Sequence, residues 1–245
     1  MPRRVRLGAR ISCGALLLVW PLLAQEGPVD KFLIRMAGIR VGAEEYRISK
    51  DASGYKVTSR IPLYELTSSP MIAIQQQQLA PDWSLTQYTL KLSTPGQRRT
   101  AEAWRDGGKV QMRVTSGENI RSDATQLRPR TIVLDNFVAS HYQILLDAIA
   151  DGGKDDQNWW VLVPQNLVAV PGKLTVNGQS EGGLSGKPVQ VRSYTLHFGE
   201  MVVQIWAEAG TNKLMRVLQP AQGLEMIREG FELTSTCPGT AKPQD

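Results

Sequence analysis

From residue 31 onward the chain alternates between apolar and polar positions. Phe32, Ile34 and Met36 fall on one face of an extended segment, Ala37-Gly38 turns it, and Ile39 and Val41 resume before Tyr46 and Ile48. Side chains two apart on a strand point the same way, so this pattern predicts a β-hairpin. Gly42, inside the second strand, is expected to mark a bulge where the sheet bends. Asp51-Ala-Ser-Gly54 then turns into Tyr55 to Ile61. Tyr88, Leu90 and Leu92 share one face and Thr89, Lys91 and Ser93 the other, and Asp106-Gly107-Gly108 joins 101–104 to Val110, Met112 and Val114. The turns carry glycine, which takes positive φ without steric cost. Segments 174–177, 189–198, 201–208, 213–218 and 224–233 predict further strands. The glycine-rich stretch 178–186 between two of them is expected to be a mobile loop.

One segment abandons the two-residue period. After strand-like Thr131-Ile-Val-Leu134, Asp135 or Asn136 is placed to cap a helix over 136–150. At about 100° per residue, Ser140, Gln143 and Asp147 form a polar stripe only ~60° wide. The remaining arc, roughly 200°, holds Phe137, Val138, Ile144, Leu145, Leu146 and Ile149, with His141 and Tyr142 inside it. A helix this apolar predicts a sheet curved around it rather than a flat sheet beneath it. Trp159 and Trp160 follow in a strand, where neighbours point to opposite faces. One is expected inside the curve and the other outside. The fold class read from the pattern is mainly β: a large curved antiparallel sheet, a half-open barrel, wrapped around one main helix.

The start of the chain changes the charge picture. Arg3, Arg4, Arg6 and Arg10 precede an apolar run from Ile11 to Leu23 that contains Gly14 and Pro21. This is the layout of a cleaved export signal over 1–24, shorter than the ~20 apolar residues of a membrane anchor. The positions after Arg3-Arg4 do not suit a twin-arginine signal. Cys13 stands too early in the run to be a lipoprotein's acylated cysteine. Four of the 28 basic residues and none of the 23 acidic ones lie in this segment, so the remainder carries 24 against 23. A net charge near +1 leaves no phosphate footprint, which argues against nucleic acid. No transmembrane span is expected once the signal is cut. Residues 25–233 read as a single β-rich domain and 234–245 as a flexible tail. In an exported protein Cys237, in that tail, has no internal disulfide partner.

Motifs of catalysis are sparse. A Ser-His-Asp site needs a base near the nucleophile, yet the chain has two histidines. His141 sits in the apolar arc, and His197, on the face of Ser193 and Thr195, is expected to be exposed. Gly183-Leu-Ser185-Gly-Lys187 is not a nucleophile elbow, and Gly186-Lys187 is followed by Pro188, which spoils a phosphate loop. Asp151, Asp155 and Asp156 lack the spacing of a calcium loop. No cofactor and no metal site is expected. Glu44-Glu45 is an adjacent acidic pair in a strand, so an inward member requires a partner, with Arg35 or Arg47 expected to supply it.

The first hairpin, Phe32-Leu-Ile-Arg-Met-Ala-Gly38-Ile-Arg-Val-Gly42-Ala-Glu44-Glu-Tyr46-Arg-Ile48, resembles the opening of exported bacterial domain-of-unknown-function proteins, with two glycines four apart, then an acid and an aromatic. Val133-Leu-Asp135-Asn136-Phe137 with His141-Tyr142 and Leu145 is similar to the strand-to-helix passage of the same group. The resemblance implies a cell-envelope protein with a large sheet curved around a helix and no established activity. Its outline is also similar to periplasmic lipoprotein carriers, whose half-open barrels hold acyl chains. The expected function is non-enzymatic binding of a lipid or other apolar or amphipathic ligand in the concavity between sheet and helix, with Phe137, His141, Tyr142, Trp159 and Trp160 as candidate lining. Two other functions remain open: an envelope interaction module using exposed sheet edges, and a secreted hydrolase with a carboxylate pair.

Overall fold

A computed structural model describes residues 28–64, 70–152 and 157–234. The export signal, Cys237 and the tail beyond Thr234 lie outside the described residues. The chain forms β1 (Asp30–Met36), β2 (Ile39–Asp51), β3 (Gly54–Leu63), β4 (Met71–Leu79), β5 (Leu85–Thr94), β6 (Gln97–Asp106), β7 (Lys109–Ser116), β8 (Asn119–Gln126) and β9 (Thr131–Val133). Helix α1 (Ser140–Gly152) follows, then β10 (Gln157–Val163), β11 (Val168–Leu184), β12 (Lys187–Phe198), β13 (Met201–Glu208), β14 (Leu214–Gln219), β15 (Leu224–Arg228) and β16 (Phe231–Leu233). Two short 3-10 turns, Pro164–Asn166 and Pro220–Gln222, follow β10 and β14.

All sixteen strands among the described residues belong to one sheet, in the order β8-β7-β6-β5-β4-β3-β2-β1-β15-β14-β13-β12-β11-β10-β9, with β16 added on β11. Two meanders meet at a seam where β1 pairs antiparallel with β15, Phe32 opposite Arg228 and Ile34 opposite Met226. Every pair is antiparallel except β9 with β10. That pair is parallel because α1 carries the chain back between them, as a crossover must. The sheet curves around α1, and the half-open barrel read from the sequence is the fold observed.

Inward residues alternate along each strand. Phe32, Ile34, Tyr46, Val57, Ile61, Tyr88, Leu90, Met112, Leu196, Val203, Ile205 and Met226 join Ile144, Leu145 and Leu146 in one core. Burying each such side chain is worth about 1.5–3 kcal/mol, which is what holds the helix in place. Even the polar stripe of α1 is covered, with Ser140 and Gln143 both buried. Gln143 repays its burial by bonding to the sheet. Its Oε1 accepts Leu214 N–H at 2.8 Å, and its Nε2 donates to Asn212 O at 3.2 Å and Asp147 Oδ1 at 2.8 Å.

The structure corrects four expectations. The helix begins at Ser140, not 136, because Phe137 takes left-handed φ (66°) and ends the extended run. Neither Asp135 nor Asn136 caps it; Glu44 does so from β2. Among the described residues Glu44 pairs with the helix start rather than with Arg35 or Arg47, while Arg35 pairs with Glu225 at 3.3 Å and Glu45 with Lys31 at 3.1 Å. The stretch 178–186 is also no free loop. Gly178 to Leu184 continue β11 and pair with β12, and Gly182 to Leu184 pair with β16 as well. At Gly182 a Cβ would stand 2.7 Å from the Phe231 ring, so glycine is what lets β16 lie there. Gly42 does sit at an irregularity, since the β1–β2 register shifts between Ile34 and Arg35 opposite it. A Cβ on Gly42 would meet Pro62 O at 2.5 Å.

Candidate functional site

The residues around the start of α1 form a buried polar cluster. The Glu44 carboxylate accepts the backbone N–H groups of Ala139 and, at 3.4 Å, Ser140. The unpaired N–H groups of a helix start suit an acceptor carrying negative charge. Burial nevertheless dominates and pushes the Glu44 carboxyl up to about 7. The Ser140 and Ser59 hydroxyls approach it and draw that value down, without the geometry of full hydrogen bonds.

Asp135 is the second buried acid, likewise raised to about 7 by burial. It accepts the Tyr88 hydroxyl at 2.7 Å and Gln165 N–H at 3.1 Å, and its own N–H donates to His141 Nδ1 at 3.1 Å. Burial lowers His141 to about 3, so the ring is neutral. With Nδ1 accepting, the ring proton resides on Nε2, which finds no acceptor among the described residues. Strand β4 runs beside the cluster, Gln75 opposite Ser59 and Gln77 opposite Tyr88, and its middle reverses the usual pattern. Gln75 and Gln77 point inward and are buried, while Ile72 and Ile74 face outward and are exposed. Gln75 donates to Gln77 Oε1 at 3.4 Å, and its own Oε1 has no partner among the described residues.

With α1 in the concavity, two of the open spaces lie at the two ends of the helix. At its C-terminal end a cavity of about 670 Å³ is lined by Trp83, Arg105, Arg128, Arg130, Asp151 and Trp159, among others. Its charged lining sets three arginines beside two aspartates, Asp82 and Asp151. Asp151 there accepts Trp83 Nε1–H at 2.6 Å, and Trp83 stacks on Tyr55 with centroids 3.7 Å apart.

At the other end lies a pocket of about 310 Å³ with a different character. Leu134, Val163, Val168, Val170, Phe198 and Met201 form its walls. Tyr142, from the first turn of α1, and Gln219, the last residue of β14, lie deepest and are both buried. Gln219 Nε2 donates to the Tyr142 hydroxyl at 2.9 Å. Strands β10, β12 and β14 run the same way, so their C-terminal ends converge on this rim. Two of them end in the same local structure: a proline-led 3-10 turn closed by a left-handed residue, Leu167 (φ 58°) after Pro164–Asn166 and Gly223 (φ 60°) after Pro220–Gln222. The two turns set Asn166 and Gln222 at the pocket mouth.

The five candidates read from the sequence therefore occupy different places. Tyr142 lines the apolar pocket and Trp159 the polar cavity. His141 belongs to the polar cluster and lines neither space. Phe137 is half-buried against the core. Trp160 points away from Trp159, with the Arg128 guanidinium 4.1 Å above its ring. Sequence reading missed Gln219, Phe198 and Met201, which the fold brings together from strand ends far apart in the chain. The repeated proline-x-x turn after two strands was the available signal. Glu44 and Asp135 are engaged with backbone N–H groups and Tyr88, and neither lines either of the two helix-end spaces.

The fold class is thus an open, barrel-like antiparallel sheet plugged by a helix. No protein-family model matches the sequence, and no characterised protein matches it. Among solved structures, the fold is similar to the crystal structure of a beta-barrel-like protein of the domain of unknown function DUF1849 from Brucella abortus. The TM-score is 0.53 at 11% identity, over 86% of this chain and 100% of that one. At this identity the likeness is one of fold.

Proposed function

We propose that this chain is an exported, non-enzymatic protein of the cell envelope that binds an apolar or amphipathic ligand at the rim of its barrel. Export rests on the basic and apolar layout of residues 1–24. The observation that supports binding is the 310 Å³ pocket beside Tyr142, walled by six apolar side chains where three strand ends leave the sheet open. Pockets of this size and lining accept small or partial ligands, with a few placed polar groups to orient them. The helix occupies the remaining concavity, so a ligand seats at the rim rather than threading the interior. Native mass spectrometry of protein gently extracted from the envelope tests the reading. The expected result is a co-purified amphiphile that Val170→Trp, which fills the pocket, excludes. A ligand-free protein whose melting temperature no amphiphile shifts would overturn it.

A second reading, an interaction module, draws on β8. This strand is exposed along nearly its whole length, one edge has no strand partner among the described residues, and Ile120 is 65% exposed. Such an edge can template a partner strand. Retention of an envelope protein by delipidated protein, lost on Ile120→Pro, is the outcome that favours it.

A further inference from the structure

We infer that the rim pocket selects an uncharged amphiphile, one whose head offers hydroxyl or carboxamide groups rather than a carboxylate, a phosphate or an ammonium. This rests on the pocket being the ligand site. The polar groups around it are of one kind. Tyr142 and Gln219 lie at its depth, and Asn136, Asn166 and Gln222 stand nearer the mouth. A phenol and four carboxamides both donate and accept hydrogen bonds without carrying charge, which matches heads that do the same.

Charge at the pocket points the same way. No lysine, arginine or histidine is among its lining residues, and the charged side chain present is Glu200, exposed at the mouth. An anionic head would give up its water, find no cation and meet a carboxylate. A cationic head would be drawn only to an exposed glutamate, where screening by water and salt is strong. The protein does gather cations, but at the opposite end of α1, where Arg105, Arg128 and Arg130 line the polar cavity. The two ends of the helix are chemically distinct.

Gln219 supplies an independent observation. It is 3% exposed, one end of its amide meets the Tyr142 hydroxyl, and the other end has no partner among the described residues. Turning the amide over exchanges the two ends and still leaves one unpaired. Buried amide groups are seldom left unpaired. A ligand hydroxyl or amide at the pocket floor completes the set, in either orientation. A carboxylate could satisfy only a donor there. The pocket's modest volume holds such a head and the first part of its chain, while Val168, 39% exposed, extends the apolar surface outward.

The test uses three probes of one chain length with delipidated full protein from the envelope: the dodecanoyl monoester of glycerol, dodecanoate, and dodecyltrimethylammonium. At about pH 8 dodecanoate is fully ionised. The expected order has the monoester binding at least tenfold more tightly than either ion. Gln222→Lys, an exposed change that leaves folding alone, is expected to tighten dodecanoate about tenfold, and Gln219→Leu to weaken the monoester by a similar factor. Equal or tighter binding of either ion, or an unmoved dodecanoate affinity in Gln222→Lys, overturns the inference about the head while leaving the pocket in place. Failure of all three probes to bind overturns the pocket reading itself.

Discussion

The carboxylate of Glu44, on the second strand, accepts the backbone N–H of Ala139, the residue just before the helix. The sheet thus supplies the N-terminal cap that the residues next to the helix do not. The two partners lie 95 positions apart in the chain. The contact ties the start of the helix directly to β2.

Burial of the capping carboxyl, against the pull of its own hydrogen bonds, makes stability depend on pH in an unusual direction. Glu44 rises from 4.5 to about 7 and Asp135 from 3.8 to about 7, so the folded state binds protons that the unfolded state has released. Their contribution is fully present below the unfolded values and is lost as pH rises through about 7. For Glu44 alone the loss amounts to about 3 kcal/mol. His141 opposes this, since its value falls from 6.5 to about 3 and its contribution is lost as pH falls below 6.5. The two carboxyls outweigh the one imidazole between about pH 5 and 7. Urea midpoints are expected to fall from pH 5 to pH 8, and Glu44→Gln, which keeps an acceptor for Ala139, to flatten that fall. A midpoint that climbs steadily to pH 8 would contradict the assignment.

Strand β4 carries two buried amides where the fold has room for hydrocarbon. Replacing half-satisfied buried polar groups with apolar ones of similar size is neutral or stabilising. Gln75→Leu with Gln77→Met is therefore expected to raise thermal stability, by about 1 kcal/mol or more. Differential scanning calorimetry reads it directly, and a loss above 1 kcal/mol would mean that these amides hold the sheet together.

Removing the centre of the helix contact should be severe. Leu145 is fully buried in the core that strands of both meanders share. Leu145→Ala is expected to cost about 2–5 kcal/mol through lost transfer energy and the cavity left behind. Chemical denaturation at one pH suffices, and a change under 1 kcal/mol would show that α1 is not the core's keystone.

Gly182→Ala tests the outer layer separately. The added methyl would meet the Phe231 ring and Glu232 O, at 2.7 and 2.9 Å, so β16 must shift. Phe231 packs there on Val191, Met215 and Ile227, outside the main core. Overpacking of this sort costs about 1–3 kcal/mol. Faster hydrogen exchange at Phe231–Leu233 with unchanged exchange in β2 is the expected signature.

Much of this fold was written in local pattern. Two-residue alternation in β1, β2, β5 and β7 and the broad apolar arc of α1 led to a sheet curved around a helix, because each signal reports only which side faces the core. What local pattern could not report was partnership. Nothing near Phe137 announces that a strand nearly a hundred residues earlier caps the helix. Gln75 and Gln77 violate the usual burial rule, and only the assembled interior explains their direction. The glycine-rich stretch reads as a loop until Phe231 is placed against Gly182. The rim pocket was legible in one residue, Tyr142, since Gln219, Phe198 and Met201 meet it through strand ends that the sheet order alone brings together.

The seam between β1 and β15 joins the two ends of the sheet-forming chain. Asp30 and Arg228, joined there by an ion pair, are 198 positions apart. Closing so long a loop is entropically costly and slow. The eight strands β1 to β8 each pair with the next in the chain and can zip in sequence, but β1 keeps a bare edge until β15 exists. A chain released from its N-terminal end first therefore carries an unpaired strand edge through most of its emergence, the kind of edge that templates pairing with other chains.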